Sequence, residues 1–557
     1  MRLVFFLCTF FFANSLFADK LFNGVENINH EVRSISNIDI LDRLEVEDVN
    51  LEFDYFEEKC TNLRQLIFGG NLEDIGYDIV SIGNGEFYLT GTTRSYSTNG
   101  TLDFIVVKIN QNKDILWAKK LGGNNDEYIR NAQLGTDGSL LISGLSMSFN
   151  ANAGDMIAIS ISASGNVNWS RVFGVNSRFP DAANATYQLK NGDYIISGDF
   201  DENGEVCDPV IMYLDKNLQI KWAKRFHSKT GEDGFGVVEV GEYLYFANDV
   251  EWLTGGHTYG LVIVKMNTLT GEYLESNSYV SSGQGIFHPY IVKDNVSGYW
   301  IWGHFVNVRS PGGTYSEMNP VVVKLDENFN VVRSYKLVTP TRLNNNFTGF
   351  HIDGKGGFFI TGSETSSNGN GFIFHSNAQG ELKIKKKVKS TQRSFVNGVT
   401  VYDNRAVFLG SIANGTSGQD LYVADIDLTT NEAIGCSLEE ASGVMEAPVF
   451  NKSTFSYTVR DITLTNKTHN LNPTDVNLKV TELCRIDTCI STPVIKPKLE
   501  VPDTVCVNEI FDLKHDANSK YAQWQFCNQE RLLSLITATN NYNSNNPILT
   551  GKTVYYN

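Results

Sequence analysis

The chain is poor in proline, with 12 in 557 residues, and it has only seven methionines and nine histidines. Basic residues are also short: 46 Lys and Arg stand against 63 Asp and Glu, a formal net charge of −17. With no basic surplus to neutralise phosphates, nucleic acid and anionic membrane surfaces are excluded as partners. Beyond the N-terminus no segment approaches 18 consecutive apolar residues, so no membrane insertion is expected of the mature chain. The histidines form no H-x-x-x-H or H-x-H pair, there is no nucleophile elbow, and no two cysteines are adjacent. No residue set is therefore singled out as catalytic, metal-binding or cofactor-binding.

What the chain does have is glycine and aromatic residues: 48 Gly, 34 Phe and 24 Tyr. With so few prolines, that combination favours many short strands joined by turns. Arg2 followed by the apolar "LVFFLCTFFF" (3–12) and "SLFA" reads as a secretory signal over 1–18, cut after Ala18, which places the chain outside the cell or on its surface. Residues 19–62 form a lead-in segment.

From residue 63 the sequence repeats. "NGEFYLTG" ends at Gly91, "DGSLLISG" at Gly144 and "NGDYIISG" at Gly198, spacings of 53 and 54 residues; related strands end at Gly303, Gly362 and Gly410, and a degenerate copy covers 240–249. Each unit holds a second strand such as "VVKIN" (106–110), and in the first three units a third strand carries Trp117, Trp169 or Trp222. Seven units near fifty residues, each too small to bury its own faces, predict an all-β fold: a seven-bladed β-propeller over 63–436. The segment "LRQLIFGG" (63–70) matches a blade's last strand with no unit before it, so it is expected to complete the last blade and close the ring; "NEAIGC" (431–436) competes for that place. Cys60 and Cys436 bracket this closure and are a candidate disulfide, with Cys436–Cys484 as the alternative.

The unit "FGGNLEDIGYDIVSIGNGEFYLTGTTRSYSTNGTLDFIVVKINQNKDILWAKKLGG" resembles the propeller repeats of large secreted surface proteins of gliding, type IX-secreting bacteria. The resemblance covers roughly residues 63–430 and implies an adhesin-like surface module without known catalysis. The C-terminal sorting domain common in such proteins is not seen here.

After about residue 437 the fifty-residue period stops. Strand-like residues over 437–489 are read as a small β appendage, "ISTPVIKPKLEVP" (490–502) as a Pro-rich linker, and 503–557 as an incomplete immunoglobulin- or PKD-like segment, with Cys506 and Cys527 a second candidate disulfide around Trp524. The chain is expected to be C-terminally incomplete.

Other residues are weighed individually. His288, His304, His351 and His375 are candidates to meet near the axis, although structural roles are favoured. Trp117, Trp169 and Trp222 are read as packing residues rather than sugar platforms, because they recur at the structural period. "KIKKK" (383–387) is read as a solvated outer edge that resists pairing. Asp201, Glu202, Glu205 and Asp208 are a weak calcium candidate that does not match an EF-hand loop. Two functions stand: a non-catalytic adhesin-like or scaffold module binding an extracellular glycan or protein, and, as the alternative, a propeller enzyme acting on polysaccharide. The repetition favours the first. Oligomeric state is not legible.

Overall fold

In the computed structural model the described residues run from 50 to 498, apart from 149–153, 175–180, 201–206, 229–231, 252–258, 283, 307–317, 341–348, 365–368, 391–392, 414–417, 429–437 and 470, with two short strands added at Phe526–Asn528 and Arg531–Leu533. The chain divides into two units, one of 62–486 and one of 1–61 with 487–557. In the latter, the two short strands pair with each other.

The larger unit is a seven-bladed propeller. Its inner strands, one per blade, are Asp74–Ser81, Glu127–Leu134, Ala182–Gln188, Glu232–Val240, Gly285–Lys293, Gly349–Ile352 and Ser394–Tyr402. From each, the blade grows outward by antiparallel hairpins, as in blade 1, where Phe87–Thr93, Asp103–Ile109 and Ile115–Leu121 follow. The ring closes as expected. The strand Asn50–Gly69 pairs with Gln419–Asp427, with Leu66 opposite Val423 and Phe68 opposite Leu421. Closing the sheet sequence in a ring covers each blade's apolar faces with its neighbours, and one buried cluster lies at each of the seven junctions. The seam between blades 7 and 1 also holds an ion pair. Lys113 and Asp425, each only 1 % exposed, meet at 2.7 Å.

Both classes of repeated glycine have a packing cause. At Gly91, Gly144 and Gly198 a Cβ would lie 2.1, 2.0 and 2.0 Å from the carbonyl oxygens of Ile75, Tyr128 and Ala182, where the inner strand bulges against its neighbour. At the first glycine of the Gly-Gly pairs, Gly69 and Gly122, a Cβ would meet the carboxylates of Asp420 and Asp103. The second glycine of each pair donates its N–H to the first carboxylate of the following blade, Gly70 to Asp74 at 2.8 Å and Gly123 to Glu127 at 3.2 Å. The Gly-Gly turn thus holds an acidic side chain of its own protein.

The segment expected to be a small appendage has a different form. It circles the propeller and adds a fifth, outermost strand to every blade. In chain order Leu438–Glu440, Val444–Glu446, Asn451–Phe455, Thr458–Asp461, Thr465–Thr468 and Thr474–Asp475 join blades 6, 5, 4, 3, 2 and 1, and Lys479–Lys498 joins blade 7. A new period drives it: Phe450, Tyr457, Leu464, Leu471 and Leu478, seven residues apart, are buried in successive junction clusters. Charge complements this spacing. Basic residues on the outer strands lie directly opposite acidic residues of the belt, with Lys119–Asp475, Lys224–Asp461 and Lys336–Glu446 each at 2.6 Å. Such cross-strand pairs set register more than they add stability. The "KIKKK" edge is therefore not a free edge. Lys386 and Lys387 pair with Glu440 and Glu439 of the belt, which satisfies the edge rather than leaving charge to repel a partner.

Candidate functional site: the axial channel

The residues that line the axis do not follow the repeat. In the inner strands of blades 1, 2, 3 and 7 the register breaks at one residue, Tyr77, Arg130, Asn184 and Asn397. In blades 4 and 5 it breaks over two, Phe235–Gly236 and His288–Pro289. A bulge re-aims the side chain it carries, and Tyr77, Arg130, Asn184, Phe235, His288 and Asn397 all line one cavity of about 810 Å³. Asn184 and Asn397 also stitch blades together, donating to the carbonyls of Gly234 at 3.0 Å and Gly76 at 2.6 Å.

The cavity combines polar groups with rings. Blades 1 to 3 supply Tyr77, Asp78, Arg130, Asn131, Asn184 and Asp199; Arg130 is the sole Arg or Lys among the lining residues. Blades 4 to 6 supply a wall of rings. Phe235 packs on Tyr290 at 5.5 Å, Tyr290 stacks on Trp302 at 4.7 Å, and Trp302 stacks on Phe350 at 6.1 Å.

The carboxyl groups are held in poorly solvated places. Burial raises Asp78 to about 7, against the hydrogen bond its Oδ1 accepts from the Ile79 N–H at 2.8 Å. Asp199 is pushed well above the usual carboxylate range by burial and by the neighbouring charge of Asp233; it accepts hydrogen bonds from Asn184 at 2.7 Å and the Gly234 N–H at 3.2 Å. Asp249 is raised for the same two reasons, and its oxygens accept the N–H groups of Asp233 at 3.1 Å and His288 at 2.8 Å. Like charges this close cannot all ionise. Burial lowers His288 well below its ordinary value and brings His304 and His351 to about 4, so all three imidazoles are neutral near pH 7.

Three of the four singled-out histidines thus reach the channel. His375 does not: it is stacked on Phe359 at 4.3 Å and bound to Asp353 at 2.9 Å. The repeated tryptophans are packing residues on the outer strands. Their indole N–H groups reach the next blade, Trp117 to the Ala163 carbonyl at 3.1 Å, Trp169 to the Tyr194 hydroxyl at 3.3 Å and Trp222 to the Thr268 carbonyl at 3.2 Å. Of the calcium candidates, Asp208 is fully buried and engaged by Arg225 and His227; Asp201, Glu202 and Glu205 lie outside the described residues. The side chains of Cys60, Cys436, Cys506 and Cys527 do too, as do the signal segment and most of 503–557. Among the described residues no helix is long and apolar enough to cross a membrane.

Tyr77, Arg130, Asn184, Phe235 and Asn397 were missed because they sit in bulges, off the period used to find the blades, and Asp78, Asp199 and Asp233 because they sit at paired positions that no motif singles out. The available signal was negative: where Gly91, Gly144 and Gly198 repeat, the residues opposite them vary from blade to blade.

No family model matches the chain, and no curated protein matches it in sequence. Among solved structures, a GH93 α-L-arabinofuranosidase of Fusarium graminearum has 13 % identity and a TM-score of 0.39, covering 56 % of this chain and 97 % of its own. An α-L-arabinanase of Penicillium chrysogenum has 13 % identity and a TM-score of 0.37, covering 66 % and 99 %. The propeller domain of the Trilobed protease from Pyrococcus furiosus, described as having an open velcro topology, has 10 % identity and a TM-score of 0.35, covering 65 % and 99 %. At this distance the assignment stands on the chain's own strand order: it is an all-β, seven-bladed propeller with a polar and aromatic axial channel.

Proposed function

We propose that this propeller takes a glycan into its axial channel and cleaves it, the polysaccharide-acting alternative weighed above. The observation that carries the reading is one cavity that combines carboxyl, amide and guanidinium groups with a run of packed rings on blades 4 to 6. A sugar ring is amphipathic in the same way, with hydroxyl edges and apolar C–H faces. Packing does not require this combination, since all seven blades solve the same packing problem.

The carboxyls suit acid–base work on a glycosidic bond. Asp78, brought by burial to about 7, keeps a proton near neutrality and can deliver it to a leaving-group oxygen. Elsewhere in the lining Asp199 and Asp233 repel each other's charge, so the pair holds one negative charge more readily than two. That charge can orient a water or stabilise a developing cation. Arg130 offers donors to hydroxyl or carboxylate groups of the sugar.

The test is to incubate the full chain with a panel of soluble polysaccharides and to measure both retention and new reducing ends. Cleavage that disappears in Asp78→Asn while retention persists supports the proposal. Retention without cleavage in the wild-type chain supports the adhesin-like module instead. Neither retention nor cleavage on any glycan rejects both.

A further inference from the structure

We infer that the channel also holds a divalent transition-metal ion, ligated by Asp233, Asp249 and His288. One ligand atom from each lies within 4.8 Å of the other two. The three come from separate strands: Asp233 from the inner strand of blade 4, Asp249 from the strand Tyr243–Glu251 beside it, and His288 from the bulge in the inner strand of blade 5. Asp233 and Asp249 are paired directly across the ladder, so their closeness is built into the register rather than left to flexible side chains.

Two further observations point to a cation at this place. First, the His288 imidazole is positioned without a hydrogen bond to its ring nitrogens among the described residues. It is stacked against Phe287 at 3.6 Å and lies near Phe235 at 4.8 Å, with its backbone in the left-handed region at φ 53°. Its backbone N–H is tied to Asp249, which leaves the ring to another partner. Second, the lining residues bring Asp78, Asp199 and Asp233 together with Arg130 as the one Arg or Lys, and Asp249 is bound just behind them. A bound cation would offset that excess of acid.

Donor chemistry selects the class of ion. One imidazole nitrogen with two carboxylates matches zinc or manganese better than calcium or magnesium, which prefer all-oxygen shells. With three protein ligands, the remaining coordination positions face the cavity, where water or a sugar hydroxyl could bind. The ion would also tie blade 4 to blade 5.

The test uses the full chain stripped with chelator and dialysed, with no glycan present, so that its outcome is separate from the proposed activity. Titration calorimetry with Zn²⁺ and Mn²⁺, and metal analysis after re-dialysis, should give one equivalent per chain. Ca²⁺ and Mg²⁺ should bind at least tenfold more weakly. His288→Gln and Asp233→Asn should each weaken Zn²⁺ binding at least tenfold and abolish the rise in Tm that the ion gives the wild-type chain. His375→Gln, outside the channel, should change neither. Absence of stoichiometric binding in the wild-type chain overturns the inference, and so does Zn²⁺ binding that survives unchanged in both His288→Gln and Asp233→Asn.

Discussion

Replacing Tyr457 by alanine should loosen the belt at one blade junction and lower the stability of the whole ring. Tyr457 is 8 % exposed and enters the cluster between blades 3 and 4. Its ring meets Phe226 edge-on at 5.5 Å and Phe455 edge-on at 4.9 Å. Removing a buried aromatic ring of this kind costs about 3–5 kcal/mol, of which two edge-to-face contacts account for roughly 1–3 kcal/mol. For a cooperative unit of residues 62–486, an unfolding entropy of about 2 cal/mol/K per residue makes 1 kcal/mol worth about 1 °C. The expected fall in Tm is therefore about 3–5 °C by scanning calorimetry. The matched control is Val449→Ala. Val449 sits beside anchor Phe450 but is 73 % exposed, so its loss should change stability by less than about 0.5 kcal/mol. Hydrogen exchange adds a local readout, because the amides of Lys224–His227 face the belt strand Thr458–Asp461 and should lose protection in Tyr457→Ala alone. Equal behaviour of the two variants would refute the seven-residue anchor mechanism.

Further outcomes follow from the seam and the channel. Burial raises the folded pKa of Asp78 to about 7, above its unfolded value, so the folded state favours the protonated form. The wild-type chain should therefore lose stability as pH rises from about 4 through about 7. Asp78→Asn, neutral throughout, should have the higher Tm at pH 8, with the gap narrowing as pH falls and closing only below about pH 4; a gap of the opposite sign would contradict the burial argument. At the closing seam, Lys113→Met removes the 2.7 Å partner of buried Asp425 but leaves Arg405 at 3.4 Å, so the cost should fall below the about 3–5 kcal/mol of a fully unpaired buried charge. The double variant Lys113→Met with Asp425→Leu should recover much of that loss in a denaturant-unfolding cycle, and no recovery would mean that the pair is not coupled.

The blades were legible because packing repeats. Gly91, Gly144 and Gly198 recur where a carbonyl approaches too closely for a side chain, and Trp117, Trp169 and Trp222 recur where an outer strand reaches the next blade. Ring closure by 63–70 was legible for the same reason. The belt was not, because its period is seven residues with one anchor in each, and its strands are as short as Thr474–Asp475. In hindsight Lys119, Lys224 and Lys336 were its mark on the blades, a recurring basic position awaiting an acidic strand. The channel was the least legible part. Tyr77, Arg130 and Asn184 occupy equivalent one-residue bulges and His288 a two-residue one, all with unlike chemistry, and only the closed ring brings them together. Of the four histidines considered, His375 was separated from the rest by its partner Asp353.

The central claim is that function resides in the residues that break the repeat and packing in those that keep it. Two tryptophans test it directly. Trp302 lines the channel between Tyr290 and Phe350, whereas Trp222 bridges two blades and is absent from the channel lining. Retention of the chain on an immobilised polysaccharide should be compared for Trp302→Ala and Trp222→Ala, each first shown to be folded by circular dichroism. The account predicts that Trp302→Ala loses retention and that Trp222→Ala keeps it despite a lower Tm. Retention lost in Trp222→Ala and kept in Trp302→Ala would contradict it.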